Sequence, residues 1–353
     1  MMGEVMKKQL KLKEIADLAN VSPATVSLVL NNREGVGPER RRQIAKILEE
    51  NGYQVNQRPD AKENKSIHFI KYRKHALLVD GNPGFVNAII DSVEKECRRQ
   101  GYNLIMTAYN DTQLDEISQL IRQDSTCGVL LLGTELTAED IEYISHVDVP
   151  MVVIDNYLPM QEYNCITMNN EEAIFRSVSH LKSLGHQKIG FIANALPSNN
   201  CHARRMAFEY ALENQGYTFD PSLVYTVHPT PDGAYQSVQK MLEEGVKFPT
   251  ALVANNDSIA LGAMKAFKEY NMRIPEDISI VGFDSIPFST ISDPPLTTME
   301  VSCPEMGIWA VRILIDRIQY PFSSITKLQV GTKLLERSST APYNPKGSNS
   351  HLL

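Results

Sequence analysis

The sequence predicts an all-α unit at the N-terminus, followed by a larger α/β core that is built on parallel sheets. Residues 1–57 contain short helical patterns and little strand signal. From Ile67 onward, short apolar strands alternate with amphipathic helices, which is typical of parallel sheets covered by helices on both faces. Between the two units, residues 58–66 carry no large apolar side chain and predict a linker.

Composition indicates a folded protein without membrane contact. The 353 residues are 42% hydrophobic and 22% charged, which is ordinary for globular domains. The longest apolar runs fall well short of the roughly 20 residues that a membrane span needs. The N-terminus lacks the apolar segment of a secretory signal, so we expect a cytoplasmic protein. The five cysteines lie far apart without a C-x-x-C pair, which argues against a metal site or a disulfide framework.

The net charge of −7 conceals a difference between the two units. Residues 1–66 hold 12 basic and 9 acidic residues, which gives +3, whereas the remainder of the chain carries −10. A basic N-terminal unit on an acidic core suggests that this unit binds an anion.

Two short helices near the N-terminus predict a helix-turn-helix over residues 13–31. The first helix places Ile15, Leu18 and Ala19 on one face. Asn20 follows it, where such a turn often needs a left-handed residue, and asparagine tolerates that conformation better than most residues.

The second helix begins at Pro23 and should bury Val26 against the first, while a third helix opens at Pro38. The exposed face of the second helix offers short hydroxyl and amide groups, which suit contacts to phosphates and base edges. The residues predicted to contact DNA from this face are Ser22, Ala24, Thr25, Ser27, Leu28 and Asn31. On this pattern alone, the alternative is a small helical cap on an enzyme.

The stretch from Leu12 to Asn32 strongly resembles the headpiece of LacI/GalR-family transcription regulators, which reads closely as D-V-A-x-x-A-x-V-S-x-x-T-V-S-x-V-L-N. The resemblance continues through Arg41 and Tyr53 and adds Tyr53 and Asn56 to the predicted DNA contacts. Later segments match family signatures in order: Leu184-Gly-His-Gln-Lys-Ile189, Asn256-Asp-Ser-Ile-Ala-Leu-Gly262, Val281-Gly-Phe-Asp284 and Pro294-Pro-Leu-Thr-Thr298. The resemblance covers about residues 10–340.

This resemblance implies a periplasmic-binding-protein-like core, in which two doubly wound parallel-sheet lobes enclose an effector cleft. The predicted divisions are a headpiece (1–57), the linker (58–66), a first lobe (67–160 and 292–319), a second lobe (161–291 and 320–340) and a polar tail (341–353).

The effector-binding residues that the resemblance implies are Phe85, Arg204, Asn256 and Asp284. Asp accepts hydroxyl hydrogen bonds, Asn accepts and donates, and Arg donates as a rigid fork, so the set suits a sugar or sugar derivative. The alternatives are packing at a helix start for Phe85, a surface ion pair for Arg204 and strand-end capping for Asp284.

Two segments depart from the family pattern. Residues 57–65 lack the leucine of the usual N-x-x-A-R-x-L hinge and contain Pro59, which predicts an extended tether. The stretch from Lys71 to Asp80 is longer than the usual pattern and is basic and aromatic. We expect it either to line the cleft or to form a solvated loop that buries only Leu77 and Leu78.

The residues and the resemblance together predict a DNA-binding transcription regulator, with repression as the expected action, that is controlled by a small-molecule effector. We expect a homodimer on double-stranded operator DNA, without cofactor or metal. Common nucleophile, phosphate-loop, dinucleotide and zinc-protease motifs are missing from the sequence, so no catalytic residue is predicted. The alternatives are a sugar-binding protein or sugar-acting enzyme with a vestigial headpiece, and a regulator tuned by a partner protein.

Overall fold

The computed structural model describes residues 10–30, 35–51, 53, 66–110, 116–117, 119, 126–145, 149–157, 159–321 and 323–345. The chain divides into two compact units, which meet in sequence between Lys65 and Ser66. Apart from Ser66, which already belongs to the first strand of the core, the predicted linker lies outside the described residues.

The N-terminal unit consists of three described helices: α1 (Leu12–Leu18), α2 (Pro23–Leu30) and α3 (Pro38–Glu50). Their shared core is fully or almost fully buried and contains Ile15, Ala16, Ala19, Val26, Val29, Ile44 and Leu48. Leu18, which was expected on the buried face, is 60% exposed. At about 100° per residue, a face centred between Ile15, Ala16 and Ala19 leaves Leu18 at its edge.

The turn between α1 and α2 has the predicted conformation, because Asn20 has a φ of 53°. Ser22 caps α2, since its Oγ accepts a hydrogen bond from the Thr25 backbone N–H at 3.1 Å. Val26 is fully buried, as predicted. The helix-turn-helix is therefore specified by its own local chemistry.

The core contains two sheets of six described strands each. The first holds β1 (Ser66–Arg73), β2 (Asn103–Asn110), β3 (Gly128–Leu132), β4 (Met151–Ile154), β5 (Asn164–Met168) and, far along the chain, β11 (Lys327–Val330). The second holds β6 (Ile189–Asn194), β7 (Val224–Val227), β8 (Ala251–Ala254), β9 (Ser279–Asp284), β10 (Thr297–Val301) and β12 (Thr332–Leu335).

Both sheets are doubly wound, so the predicted fold class is confirmed. The spatial orders are β2-β1-β3-β4-β5-β11 and β7-β6-β8-β9-β10-β12. Adjacent strands are parallel except for β12, which pairs antiparallel with β10 at the edge of the second sheet. In such sheets, ligands bind outside the carboxyl ends of the strands.

Helices cover the two sheets. They are α4 (Leu77–Asp80), α5 (Pro83–Arg99), α6 (Ala138–Ser145), α7 (Asn170–Ser183), α8 (Asn199–Asn214), α9 (Pro231–Glu243), α10 (Asp257–Glu269), α11 (Pro287–Ile291) and α12 (Cys303–Gln319). Most of a helix that the sequence predicts over 113–122 lies outside the described residues. No helix in the described ranges has the length and apolarity that a bilayer crossing requires.

The chain passes between the lobes three times, and each passage lies later than the predicted boundary. The passages fall at 168–170, 301–303 and 330–332, where β5, β10 and β11 end. The predicted boundaries at 160, 291 and 319 therefore assigned these three strands to the wrong lobe. The reason is that all three are short and apolar, and such a pattern does not reveal which of two similar sheets a strand joins.

The three passages lie side by side. The Asn169 backbone N–H donates to the Val330 carbonyl at 2.8 Å, which ties the first passage to the last. Val301 pairs with Thr332 in the antiparallel ladder, which places the second passage beside the last.

The described part of the predicted tail, residues 341–345, contacts the core, because the Tyr343 N–H donates to the Leu184 carbonyl.

The stretch from Lys71 to Asp80 is folded, so neither the cleft-lining segment nor the solvated loop that the sequence left open describes it fully. β1 continues through Arg73, and the short helix α4 follows. Val79 is fully buried, whereas Leu77 and Leu78 are half-buried and only Leu78 reaches the cleft. The buried carboxylate of Glu135 holds the segment, since its oxygens lie 2.7–3.3 Å from the backbone nitrogens of His75, Ala76, Leu78 and Val79.

Glu135→Ala should destabilise the core, because it leaves several backbone N–H groups without an acceptor. We expect a loss of about 3 kcal/mol in the free energy of unfolding. Glu135→Gln, which keeps one acceptor oxygen, should lose less. The measurement is urea unfolding followed by the fluorescence of Trp309, the single tryptophan, which lies on α12.

Glu139→Ala is the control, since Glu139 is exposed on α6. A Glu135→Ala core as stable as this control would mean that water satisfies the same N–H groups.

Candidate functional sites

The outer face of α2 carries the residues predicted to meet DNA. Ser22 and Ala24 are exposed, while Thr25, Ser27 and Leu28 are partly exposed. Asn31 lies outside the described residues. The Ser22 and Thr25 hydroxyl oxygens lie 2.8 Å apart and share a hydrogen bond, so the two side chains are held together at the start of the helix. The described part of this face is polar except for Ala24 and Leu28.

Tyr53 also has a role inside the headpiece. Its hydroxyl donates to the Leu10 carbonyl at 2.6 Å, which ties the end of the three-helix unit to its beginning. The ring is partly buried against the headpiece core. Its contact with DNA stays a prediction, and Asn56 lies outside the described residues.

The second candidate site is a cavity at the carboxyl ends of the strands of both sheets. Ten of the fifteen residues that line it are polar. The polar residues that line it are Asn82, Thr134, Asp155, Asn194, Ser198, Asn200, Arg204, Asn255, Asn256 and Asp284.

Arg204 is buried in this wall, with only 5% of its surface exposed. From α8, its Nε donates to Asn170 Oδ1 at 2.8 Å and its Nη1 to the Asn255 carbonyl at 2.7 Å. The guanidinium carbon lies 3.6 Å from the ring centre of Phe283, and Nη2 lies 3.8 Å from Asp284 Oδ1. The surface ion pair that the sequence left open for Arg204 is therefore excluded.

Asp284 faces Arg204 from the end of β9. Its φ is 106° and that of Ser285 is 58°, so the backbone is left-handed at both residues, a costly conformation that is common at functional sites. The side chain reaches across the cleft, where Asp284 Oδ2 accepts from Asn82 Nδ2 at 2.6 Å. Asn82 precedes α5 in the first lobe, so this hydrogen bond joins the two lobes.

Burial raises the pKa of Asp284 to about 8. The charge of Arg204 lowers this pKa, the charges of Asp257 and Asp155 raise it, and the hydrogen bond from Asn82 lowers it. The carboxyl group is therefore mostly protonated at neutral pH.

Asp155 forms a second connection between the lobes. It follows β4, and its Oδ1 accepts from Asn200 Nδ2 of α8 at 2.8 Å, while Oδ2 accepts from Thr134 at 2.6 Å. Burial raises the pKa of Asp155 to about 6, although Thr134, Arg204 and Asn200 oppose this. The cleft is thus closed, with its lobes held by hydrogen bonds between their own polar groups.

Asn256, one of the predicted effector-binding residues, lines the cavity but also caps α10. Its Oδ1 accepts from the Ile259 N–H at 2.9 Å. The preceding residue, Asn255, is more deeply placed, with 1% of its surface exposed, and sequence reasoning missed it. The signal was available, because both asparagines follow β8 directly at the carboxyl edge of its sheet.

Phe85 lies in the first turn of α5 and is 6% exposed. It packs in the main hydrophobic core, as the packing alternative expected, and also lines the cavity, while its contact with an effector stays a prediction. Sequence reasoning also missed Asn82, Asp155 and Asn200, although Asp155 follows an apolar strand. Within the described ranges, no group of three or more His, Cys, Asp or Glu residues is arranged to hold a metal.

Two family profiles match the chain. The profile described as bacterial regulatory proteins of the lacI family matches residues 11–56, and the one described as a periplasmic binding protein-like domain matches residues 178–340. Among characterised relatives, the HTH-type transcriptional repressor PurR of Haemophilus influenzae (strain PittEE) is 31% identical over 335 residues, which cover 93% of this chain and 98% of the relative. PurR of Vibrio atlanticus (strain LGP32) is 30% identical over 338 residues, which cover 94% of this chain and 99% of that relative.

Solved structures share the fold. A transcriptional regulator CelR–cellobiose complex has a TM-score of 0.71 at 23% identity, covering 94% of this chain and 99% of that chain. The lac repressor dimer bound to operator and the anti-inducer ONPF has a TM-score of 0.69 at 24% identity, covering 95% and 100%.

Asp284 should make the stability of the core depend on pH. Its carboxyl group keeps its proton up to about pH 8 when folded but releases it near its ordinary pKa of 3.8 when unfolded. The contribution of Asp284 to stability is therefore fully present below about pH 4 and is lost as pH rises toward 8. Asp284→Asn, which is neutral and of equal size, should flatten this decline in Tm between pH 5 and 8.

The measurement is thermal unfolding across that pH range. The control is Asp91→Asn, an exposed residue on α5, which should keep the slope of the parent. Equal slopes for Asp284→Asn and the parent would contradict the prediction.

Proposed function

The chain belongs to the LacI family of bacterial regulatory proteins, and we propose that it is a sequence-specific DNA-binding repressor controlled by a small molecule bound in the core cleft. The observation that carries this proposal is that one chain combines a packed helix-turn-helix headpiece with a two-lobed core whose cleft is lined by buried polar groups. Such a protein acts in the cytoplasm, where its operator is.

DNA is read by the outer face of α2. Ser22, Thr25 and Ser27, together with Asn31, contact phosphates and set the position of the helix on the duplex. Ala24 and Leu28 reach base edges, where an apolar side chain packs on the methyl group of thymine. Tyr53 and Asn56 add contacts from beyond α3.

The effector acts through the closure of the cleft. Arg204 and Asp284 form the centre of its binding site, with Asn256 and Phe85 in the wall. A sugar or sugar derivative is the first candidate, because hydroxyl groups match these donors and acceptors. A ligand that binds one arrangement of the lobes more tightly shifts the population toward it and so changes operator affinity.

The sugar-binding or sugar-acting alternative requires no specific contact with DNA. It is disfavoured because the headpiece keeps its complete buried core, its capped α2 and its left-handed turn. The alternative of a regulator tuned by a partner protein requires no ligand in the cleft.

Leu28→Arg should change base preference, because arginine donates to guanine where leucine can only pack on thymine. We expect the selected sites to gain guanine at one position of each half-site. The measurement is selection of bound sequences from a random duplex library with the full chain.

Lys46→Arg is the control, since Lys46 is exposed on α3 and keeps its charge when replaced. It should select the same sites as the parent. Unchanged preference in Leu28→Arg would place that residue away from the bases, and absence of any selected sequence in the parent would contradict the DNA-binding function.

A single headpiece makes too few contacts for operator affinity, so we expect a two-fold dimer that selects near-palindromic sites. Light scattering of the full chain should give the mass of two chains, with and without operator DNA. A stable monomer or tetramer would contradict this assembly.

A further inference from the structure

The guanidinium group of Arg204 already has partners within the protein. Its Nε and Nη1 donate within the second lobe, one face lies on Phe283, and Nη2 faces the Asp284 carboxyl. Where Asp284 is ionised, an anionic ligand would have to share this cation with it at close range. Like charges at one buried site repel each other, so such sharing is costly.

Among the residues that the structure describes, the rest of the cavity wall offers no compensating positive charge. Its charged members are Arg204, Asp155 and Asp284. With both carboxyl groups ionised the wall is negative, and with Asp284 protonated it is neutral. In neither state does the cavity favour a phosphate or a carboxylate.

The cavity does favour hydrogen-bond donors, because two of its acceptors are unused. Asn82 gives its amide N–H to Asp284, and Asn255 gives its amide N–H to Cys201 Sγ at 3.2 Å. The Oδ1 atoms of Asn82 and Asn255 are buried and have no hydrogen-bond partner in the described part of the chain. A buried acceptor without a donor raises the free energy of the closed cleft, and a ligand O–H or N–H would remove that penalty.

These two acceptors belong to different lobes. Asn82 precedes α5 in the first lobe, whereas Asn255 follows β8 in the second. A ligand that donates to both would stabilise the closed arrangement through its own hydrogen bonds.

We propose that the effector is a small uncharged molecule that donates hydrogen bonds to Asn82 and Asn255, and that the cleft rejects phosphorylated ligands. The inference rests on the proposed effector site and specifies its ligand. Neutral sugars and polyols belong to this class, and their phosphate esters do not.

The test compares D-ribose, D-glucose and cellobiose with the phosphate monoester of each, using the full chain. Binding is measured by thermal shift and calorimetry. At least one neutral sugar should raise Tm, and its phosphate ester should bind on the order of 100-fold more weakly. A phosphate ester that binds as tightly as its neutral sugar would overturn the proposal, and so would a panel in which no neutral sugar binds.

Variants test the two acceptors. Asn82→Ala and Asn255→Ala should each weaken the neutral sugar roughly tenfold. Asn82→Ser and Asn255→Ser, which restore a hydroxyl acceptor, should recover part of the loss, a recovery that a merely structural role would not give. The matched control is Asn214→Ala, at the exposed far end of α8, which should bind like the parent. Parent-like binding by both alanine variants would overturn the assignment.

Operator binding by the ligand-free chain is measured in parallel. If the operator is bound but the cleft prefers phosphate esters, this inference fails and the proposed function stands. If no specific DNA is bound, the proposed function fails, whatever the sugars do.

Discussion

The burial of one cation organises the cleft. Arg204 lies where the carboxyl ends of both sheets approach, and a charge removed from water must be compensated by nearby dipoles and opposite charges. The Asn255 carbonyl and Asn170 supply acceptors, and the Asp284 carboxyl group faces Nη2, where it supplies the opposite charge once it ionises. Burying that carboxyl group then requires a donor of its own, which comes from Asn82 in the other lobe. Closure of the lobes thus follows from a sequence of electrostatic requirements that begins with Arg204.

Much of the fold could be predicted because local chemistry specifies it. Asn20 is left-handed, Ser22 caps α2 and Val26 is buried, and each follows from residue type and spacing alone. The positions where the chain changes lobe could not be predicted in the same way. β5, β10 and β11 are short apolar strands like their neighbours, and only pairing with a partner strand decides which sheet each one joins.

The site was predictable only where a residue lies in a distinctive motif. Arg204 and Asp284 were found in this way, and they do meet in the cleft. Asn82, Asp155 and Asn200 were missed, because polar residues after strands and at helix starts are common and usually serve as caps. Each of them reaches its partner across the cleft, Asn82 to Asp284 and Asn200 to Asp155. These contacts form only because the two sheets are placed so that the lobes face each other.

The three neighbouring passages between the lobes have a mechanical consequence. Separate connections would let the lobes slide or twist independently, but passages tied by the Asn169–Val330 hydrogen bond and the Val301–Thr332 pair resist both. The remaining motion is a hinge bending of the lobes about one axis, which runs along the three passages. Because every opening follows the same arc, small molecules of different shape would produce movements that differ in extent but not in direction.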